Sequence, residues 1–423
     1  MKKHYFVSSL LLLCAAALLS GTPGYAQTAK SAPPPAACKL PTTVPTGSTR
    51  YEQLAWQFFV AANCNTGNPD LPFAWQTWPE QTCLASGGKD CANVTGAQRL
   101  HASVLASKGS DLPKLCQPMT TIDNISGLGP GYKGYEKFIP TNLTDNPLFC
   151  EEVHVNKTEA DYIISPKGKG SAVHNLQTLA GQKAFIRDGN FISFPKESLE
   201  IKADWIPAAS IQSGKTFDCK NPPADLIVQT IENNCYALVA MHISSKLEPK
   251  WVWATFEAQS TMTNPNGCDP ELYSNCKDPW GSKNGSTGKG QKTEPSQALL
   301  DLMKAANIDP KFKNYRLVGA QSQYYSPQVL SNSFTEFNAQ VRREHASCMT
   351  CHFYTLFTKD TTPILENPNF GPFPGYAGTG NPFPVPKGWY DQDFSWLLGI
   401  MPETKEGSAL KRQENKVLPR VPG

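Results

Sequence analysis

Several features are missing from this 423-residue chain. No glycine-rich turn of the phosphate-cradling kind follows a strand pattern, and no Gly-x-Ser-x-Gly elbow is present, so nucleotide-fold and hydrolase chemistry lose their usual sequence marks. The formal net charge is only +3 and its lysines and arginines form no stripe, which leaves nucleic acid and membrane surfaces without an electrostatic footprint. Beyond the N-terminal segment no stretch is apolar enough to span a bilayer, which needs about 20 apolar residues.

What is present begins with a leader. Met1-Lys2-Lys3-His4 is basic, Phe6 to Leu19 is apolar apart from Ser8 and Ser9, and Gly24-Tyr25-Ala26 ends on a small residue. That is the layout of a secretory signal peptide over residues 1–26, and it places the mature chain in the periplasm. The apolar run is too short for a membrane anchor, and Cys14 lies inside it, away from a lipoprotein junction. Residues 27–49 are a Pro/Ala/Thr-rich linker.

Thirteen cysteines fit that compartment. With Cys14 in the leader and Cys348 and Cys351 set apart, Cys38, Cys64, Cys83, Cys91, Cys116, Cys150, Cys219, Cys235, Cys268 and Cys276 remain, enough for five disulfides. Cys268 and Cys276 are expected to close a long polar loop. That loop also carries Asp269, Glu271 and Asp278, whose spacing matches no calcium motif. Proline and glycine, 36 and 31 residues, predict a loop-rich surface.

The chemically specific string is "SCMTCH", Ser347 to His352. Two cysteines three apart lie on one helical turn, where each thiol can add across a haem vinyl group, and the histidine that follows projects its imidazole at the iron. A disulfide or a thioredoxin-like dithiol uses the same spacing. The latter, however, follows a strand and opens a reactive helix, whereas Phe334, Phe337 and Val341 here recur at helical spacing, with Ser333 and Glu336 as a capping box. The motif occurs once. It predicts one covalently attached haem c on Cys348 and Cys351, with His352 as proximal iron ligand.

Two residues compete for the other side of the iron. Met401, in "LLGIMPETK", follows the motif after a Pro/Gly-dense stretch; its alternative is a packing role at the end of "DFSWLLGIM". His242, in "CYALVAMHISSK", lies on an expected central strand, with Tyr236, Leu238 and Ala240 on its face by alternation; its alternative is a hydrogen-bonded core histidine. A distal face left open is the third option. His101, His154 and His174 have no special claim, and His345 lies one turn before the motif.

The rest predicts an α+β fold: an antiparallel sheet core with flanking helices and long loops, followed by a mainly helical haem-binding segment. "STRYEQLAWQFFVAANC" reads as an amphipathic helix, and "GAQRLHASVLAS" also looks helical. "ESLEIKADWI" alternates as a strand with one wet face, and "CYALVAMHIS" with "KWVWATFEA" forms a hairpin across "SKLEP". On the last strand Trp251 and Trp253 share one face with Thr255 and Glu257, and Val252, Ala254 and Phe256 take the other. "PSQALLDLMKAANI" is a helix. Glu151 and Glu152 read as a solvated surface pair. The divisions are a disulfide-containing α+β body over 50–325 and a haem-binding region over 326–423.

Several strings in order, "LAWQFFVAAN", "FAWQTWPE", "LVAMHISSK", "WVWATFEA", "SCMTCH" and "DFSWLLGIM", resemble segments of large exported bacterial proteins of the cytochrome c family. The motif with a later methionine is also similar to class I cytochromes c, although the polar, proline-ended tail after Met401 lacks their closing helix. The resemblance implies a single c-type haem on a large α+β body outside the cytoplasm and names no substrate. Those relatives carry a histidine after "TFE", where this chain has Ala258, so no role passes to that position. Two functional classes follow. One is electron transfer to or from another exported redox protein, with both axial positions filled. The other is a haem enzyme or small-ligand binder, peroxidase-like or oxygenase-like, with an open distal face.

Overall fold

The computed structural model describes residues 35–85, 116–119, 142–145, 147–170, 174–231, 233–263, 268, 276–285, 291–323, 330–332, 334–338, 347–353, 355–358 and 389–398. The expected signal peptide, linker residues 27–34, "GAQRLHASVLAS" with His101, and both His345 and Met401 lie outside them. From Pro35 onward the chain forms one compact unit.

Its centre is an antiparallel sheet. The strands are β1 (Cys116–Pro118), β2 (Leu148–Val155), β3 (Leu199–Pro207), β4 (Val228–Ile231), β5 (Asn234–Ser245), β6 (Val252–Ala258) and β7 (Tyr315–Gln321). They run in the order β1-β2-β3-β5-β6-β7, with β4 also paired to β5. A two-stranded sheet pairs β8 (Leu356–Thr358) with β9 (Trp389–Asp391). The three strands expected from the sequence, β3, β5 and β6, are adjacent at the middle, and β5 and β6 form the expected hairpin.

One sheet face is apolar. Ile201, Ala203 and Trp205 of β3, Met241 and Ile243 of β5, and Ala254 and Phe256 of β6 pack against helix α1 (Arg50–Ala62) through Leu54, Phe58 and Phe59. The helix Gln297–Ala306 joins the same core through Leu299 and Met303 and is capped by the Ser296 side chain accepting from Leu299 N. Phe59 stands 4.4 Å from Phe256 and 5.4 Å from Phe312, centroid to centroid, a contact that buries large aromatic area.

The opposite face departs from expectation. Glu200, Lys202 and Asp204 do form the alternate set of β3, but Glu200 and Asp204 are buried. Leu330, Asn332, Thr335, Cys348 and Met349 pack on this face and help cover it. Glu152 is buried as well, and Glu151 accepts an ion pair from Lys202 at 2.9 Å, so the expected solvated pair is part of the sheet. Trp251 and Trp253 lie in a second apolar cluster with Val153, Leu330, Cys348, Met349, Phe394 and Leu398. The two-faced reading of β6 therefore holds.

A bulge corrects the placement of His242. Asp204 pairs with Ala240, yet Trp205 pairs with Leu238, leaving Val239 as an extra residue. Such an insertion switches the alternation. Tyr236 and Leu238 consequently share the α1-side core with Met241 and Ile243, and His242 turns to the other face beside Lys202 and Thr255.

Four disulfides join described cysteines: Cys38–Cys64, Cys116–Cys150, Cys219–Cys235 and the expected Cys268–Cys276. Cys83 is also disulfide-bonded, to a partner outside the described residues. Asp278 anchors its loop to α1, since its carboxylate accepts from Trp56 Nε1 at 2.7 Å and from Gly281 N at 2.6 Å. Among the described residues no helix is long and apolar enough to cross a membrane.

Candidate haem-attachment site

The motif forms a short helix, Cys348–Phe353. Its start is tied to the strand-like segment at Leu330, whose carbonyl accepts from Cys348 N at 3.0 Å and from the Cys348 thiol at 3.0 Å. Cys348 belongs to none of the disulfides and is buried. Three residues apart, Cys348 and Cys351 occupy neighbouring positions on one face of a helical turn. Thr355 closes the helix by donating Oγ1 to the His352 carbonyl at 3.0 Å.

His352 is oriented by a distant loop. Its Nδ1 lies 2.8 Å from the Phe394 carbonyl, which makes Nδ1 the protonated nitrogen and leaves the Nε2 lone pair bare. The Trp253 ring packs 4.4 Å from the imidazole. Burial pushes the His352 pKa down to about 3, against the opposing pull of the Phe394 carbonyl, so the ring is neutral at neutral pH.

The carbonyl is aimed by strained backbone. Asp393 and Phe394 have φ of 53° and 69°, a region bulky residues rarely occupy and one that costs about 1–3 kcal/mol per residue. The turn is held from several sides. Asp393 Oδ2 accepts from Phe194 N at 2.7 Å, Asp393 Oδ1 pairs with Lys246, and the Asp393 carbonyl accepts from Trp251 Nε1 at 2.9 Å. Leu397 and Leu398 bury beside it. The segment "DFSWLLGIM" thus serves the site through Phe394, a role its sequence does not announce; Met401 lies outside the described residues.

His242 comes to the same place from the sheet. Its Nε2 receives a hydrogen bond from Asn332 Nδ2 at 2.6 Å and lies 3.6 Å from Glu336 Oε1. Glu336 Oε1 is in turn 4.0 Å from the Cys348 sulfur. The ligating atoms of His242, Glu336 and Cys348 all fall within 4.8 Å of one another. Burial is the main cause holding His242 well below its usual pKa, helped by the positive charge of Lys202. Burial raises Glu336 to about 8.

A buried acid completes this wall. Asp204 Oδ2 accepts from Thr335 Oγ1 at 2.6 Å and lies 3.4 Å from Asn332 Nδ2, while its Oδ1 meets no hydrogen-bond partner among the described residues. Glu336 also caps the chain, accepting from Asn332 N at 2.9 Å, so the expected capping acid is used one residue before Ser333. Asn332, Asp204, Trp253 and Phe394 were not legible as site residues; Glu336 was legible only as a cap. His154 lies apart as a core residue, with Nδ1 2.9 Å from the Trp78 carbonyl and its ring against Trp75. His174 pairs with Asp188 at 3.1 Å.

The state of His352 can be read from its partner. A neutral imidazole with Nδ1 fixed by a carbonyl and Nε2 unprotonated is a form in which histidine can bind a metal. In sequence it follows directly on the helical turn that holds Cys348 and Cys351, and Cys348 lies outside the disulfides. No family model, no curated protein and no solved structure matches this chain.

Proposed function

We propose that this protein is an exported c-type cytochrome that holds one haem through Cys348 and Cys351, uses His352 as proximal ligand, and exchanges electrons with another exported redox protein. The observation that carries the reading is the hydrogen bond from His352 Nδ1 to the Phe394 carbonyl, made on the residue that ends the "SCMTCH" motif. When bound, the haem supplies a one-electron couple at the iron. The chain's own residues do the rest. Phe394 fixes the tautomer and angle of His352, Trp253 packs its flank, and Leu330, Cys348 and Met349 help exclude water from the sheet face beneath. A leader of signal-peptide layout and several disulfides support a periplasmic location.

A large body is more than a simple shuttle needs. Here it supplies the second wall of the site, because the motif helix packs on β5 and β6 instead of closing a small helical domain. The competing class, a haem enzyme or small-ligand binder, draws on His242 and Glu336 as proton-handling groups beside Cys348.

The test is attachment itself. On a denaturing gel stained for haem, the wild-type protein is expected to give a band that a Cys348→Ala, Cys351→Ala double variant lacks. A band that persists in that variant sinks the reading.

A further inference from the structure

We propose that electrons pass between this site and the surface along the aromatic rings of Trp253, Trp251, Phe194 and Tyr162, and that the exposed Phe191 with its basic surroundings is where an acidic exported redox protein docks. The inference rests on the haem reading above and deepens it, by naming the port and the charge of the partner.

The rings form a series from the motif outward. Centroid to centroid, Trp253 lies 4.4 Å from the His352 imidazole and Trp251 lies 6.1 Å from Trp253. Phe194 follows 5.5 Å from Trp251, and Tyr162 5.0 Å from Phe194. These are the separations of packed aromatic pairs. Trp253, Trp251 and Phe194 are buried, and Tyr162, at the outer end, is half-buried. Electron tunnelling weakens steeply across empty gaps and less across packed atoms, so the filled series favours this way out. The flank at Cys348 is closed, since that residue is buried with donor atoms of His242 and Glu336 within 4.8 Å of its sulfur.

The surface at the outer end presents one apolar group. Among the described residues Phe191 is the large apolar side chain left exposed, at 88%. A single exposed phenyl is ordinary on a loose loop, but this loop is pinned on both sides of it. Asn190 Nδ2 donates to the carbonyls of Phe185 at 3.0 Å and Lys169 at 3.1 Å. Ser193 N donates to the Tyr162 hydroxyl at 2.8 Å, and Phe194 N to Asp393 Oδ2 at 2.7 Å. The phenyl is thus held in water beside the end of the ring series.

Charge identifies the partner. Residues 165–170 and 174–197 carry Lys167, Lys169, Lys183, Arg187 and Lys196, all exposed, against an exposed Glu197 and a half-buried Asp188. Asp161, next to Tyr162, is paired with Lys157 at 2.7 Å. Lys169 is fixed beside Asn190, whose Oδ1 accepts from its backbone N at 2.6 Å. Arg187 ends the helix Leu179–Arg187 just before this loop, and Lys183 lies one turn back on the same side. An apolar centre with a basic rim suits a partner whose docking face is acidic around an apolar spot. One electron passes per encounter: ferrous haem becomes ferric and the partner's one-electron centre is reduced, while no ring changes oxidation state and no bond forms or breaks.

The test follows oxidation of the full-length ferrous holoprotein by stopped flow, with hexacyanoferrate(III) as the anionic oxidant and tris(phenanthroline)cobalt(III) as the cationic one. The wild-type rate with the anion should fall as salt is added. Lys169→Glu combined with Arg187→Glu should slow the anion by about tenfold at low salt and leave the cation as fast or faster. Phe194→Leu should slow the anion severalfold, whereas Phe194→Tyr, which keeps a ring in the same packing, should hold the wild-type rate. Charge reversal without effect on the anion, or an equal fall with both oxidants, overturns the proposal. Equal rates in Phe194→Leu and Phe194→Tyr overturn it too. Absence of haem stain in the wild type marks failure of the underlying reading instead.

Discussion

The main-chain carbonyl of Phe394 accepts from His352 Nδ1 at 2.8 Å across 42 residues of sequence. Phe394 adopts a φ of 69° beside that contact, in a turn that Asp393 ties to Phe194, Lys246 and Trp251. Asp393 and Lys246 are both mostly buried, with side-chain exposures of 11% and 10%, and their ion pair is one of those ties.

Asp393→Ala should therefore be costly in two ways. It leaves Lys246 buried without its carboxylate, which typically destabilises by about 3–5 kcal/mol. It also frees the turn that fixes the His352 ring. Urea unfolding should show the first effect and a mixed-spin haem spectrum the second. A variant with wild-type stability and spectrum would show that the turn holds without Asp393.

The two sheet faces should separate stability from haem environment. Phe59→Ala empties aromatic volume between α1 and the sheet, a loss of about 3–5 kcal/mol, on the face away from the motif; its haem spectrum should match the wild type. Trp253→Ala removes the ring that packs at 4.4 Å on His352 and should shift both the spectrum and the midpoint potential. The measurements are chemical denaturation and a spectroelectrochemical titration of each variant.

Buried carboxyls set a pH dependence. Burial raises Glu200 to about 7 and Asp278 to about 6. Between the ordinary carboxylate pKa and these values the folded chain binds more protons than the unfolded one, so this contribution is full at low pH and is lost as pH rises through 6 and 7. The urea midpoint should fall between pH 5 and pH 8 from these two groups. Glu200→Gln and Asp278→Asn together should flatten that slope, and an unchanged slope would refute the assignment.

What the sequence determined by itself is local. Alternation in "ESLEIKADWI" and "KWVWATFEA" and the nearly continuous apolar run of "CYALVAMHIS" mark strands, and β3, β6 and β5 form there. The Cys268–Cys276 loop closure, the helix beginning after Ser296 and the motif helix were legible for the same reason: each depends on neighbours a few residues away. The tertiary structure decided the rest. Which strand face is covered depends on Leu330, Asn332, Thr335, Cys348 and Met349 packing there, so the polar side of β3 reads as wet and is buried. A single extra residue at Val239 reverses the side on which His242 lies, and no propensity in "ALVAMH" marks it. Asn332 reaches His242 from 90 residues away and Phe394 reaches His352 from beyond a long Pro/Gly-rich stretch. Contacts of that kind arise from packing a particular surface against another, and a one-dimensional pattern carries no record of which surfaces meet.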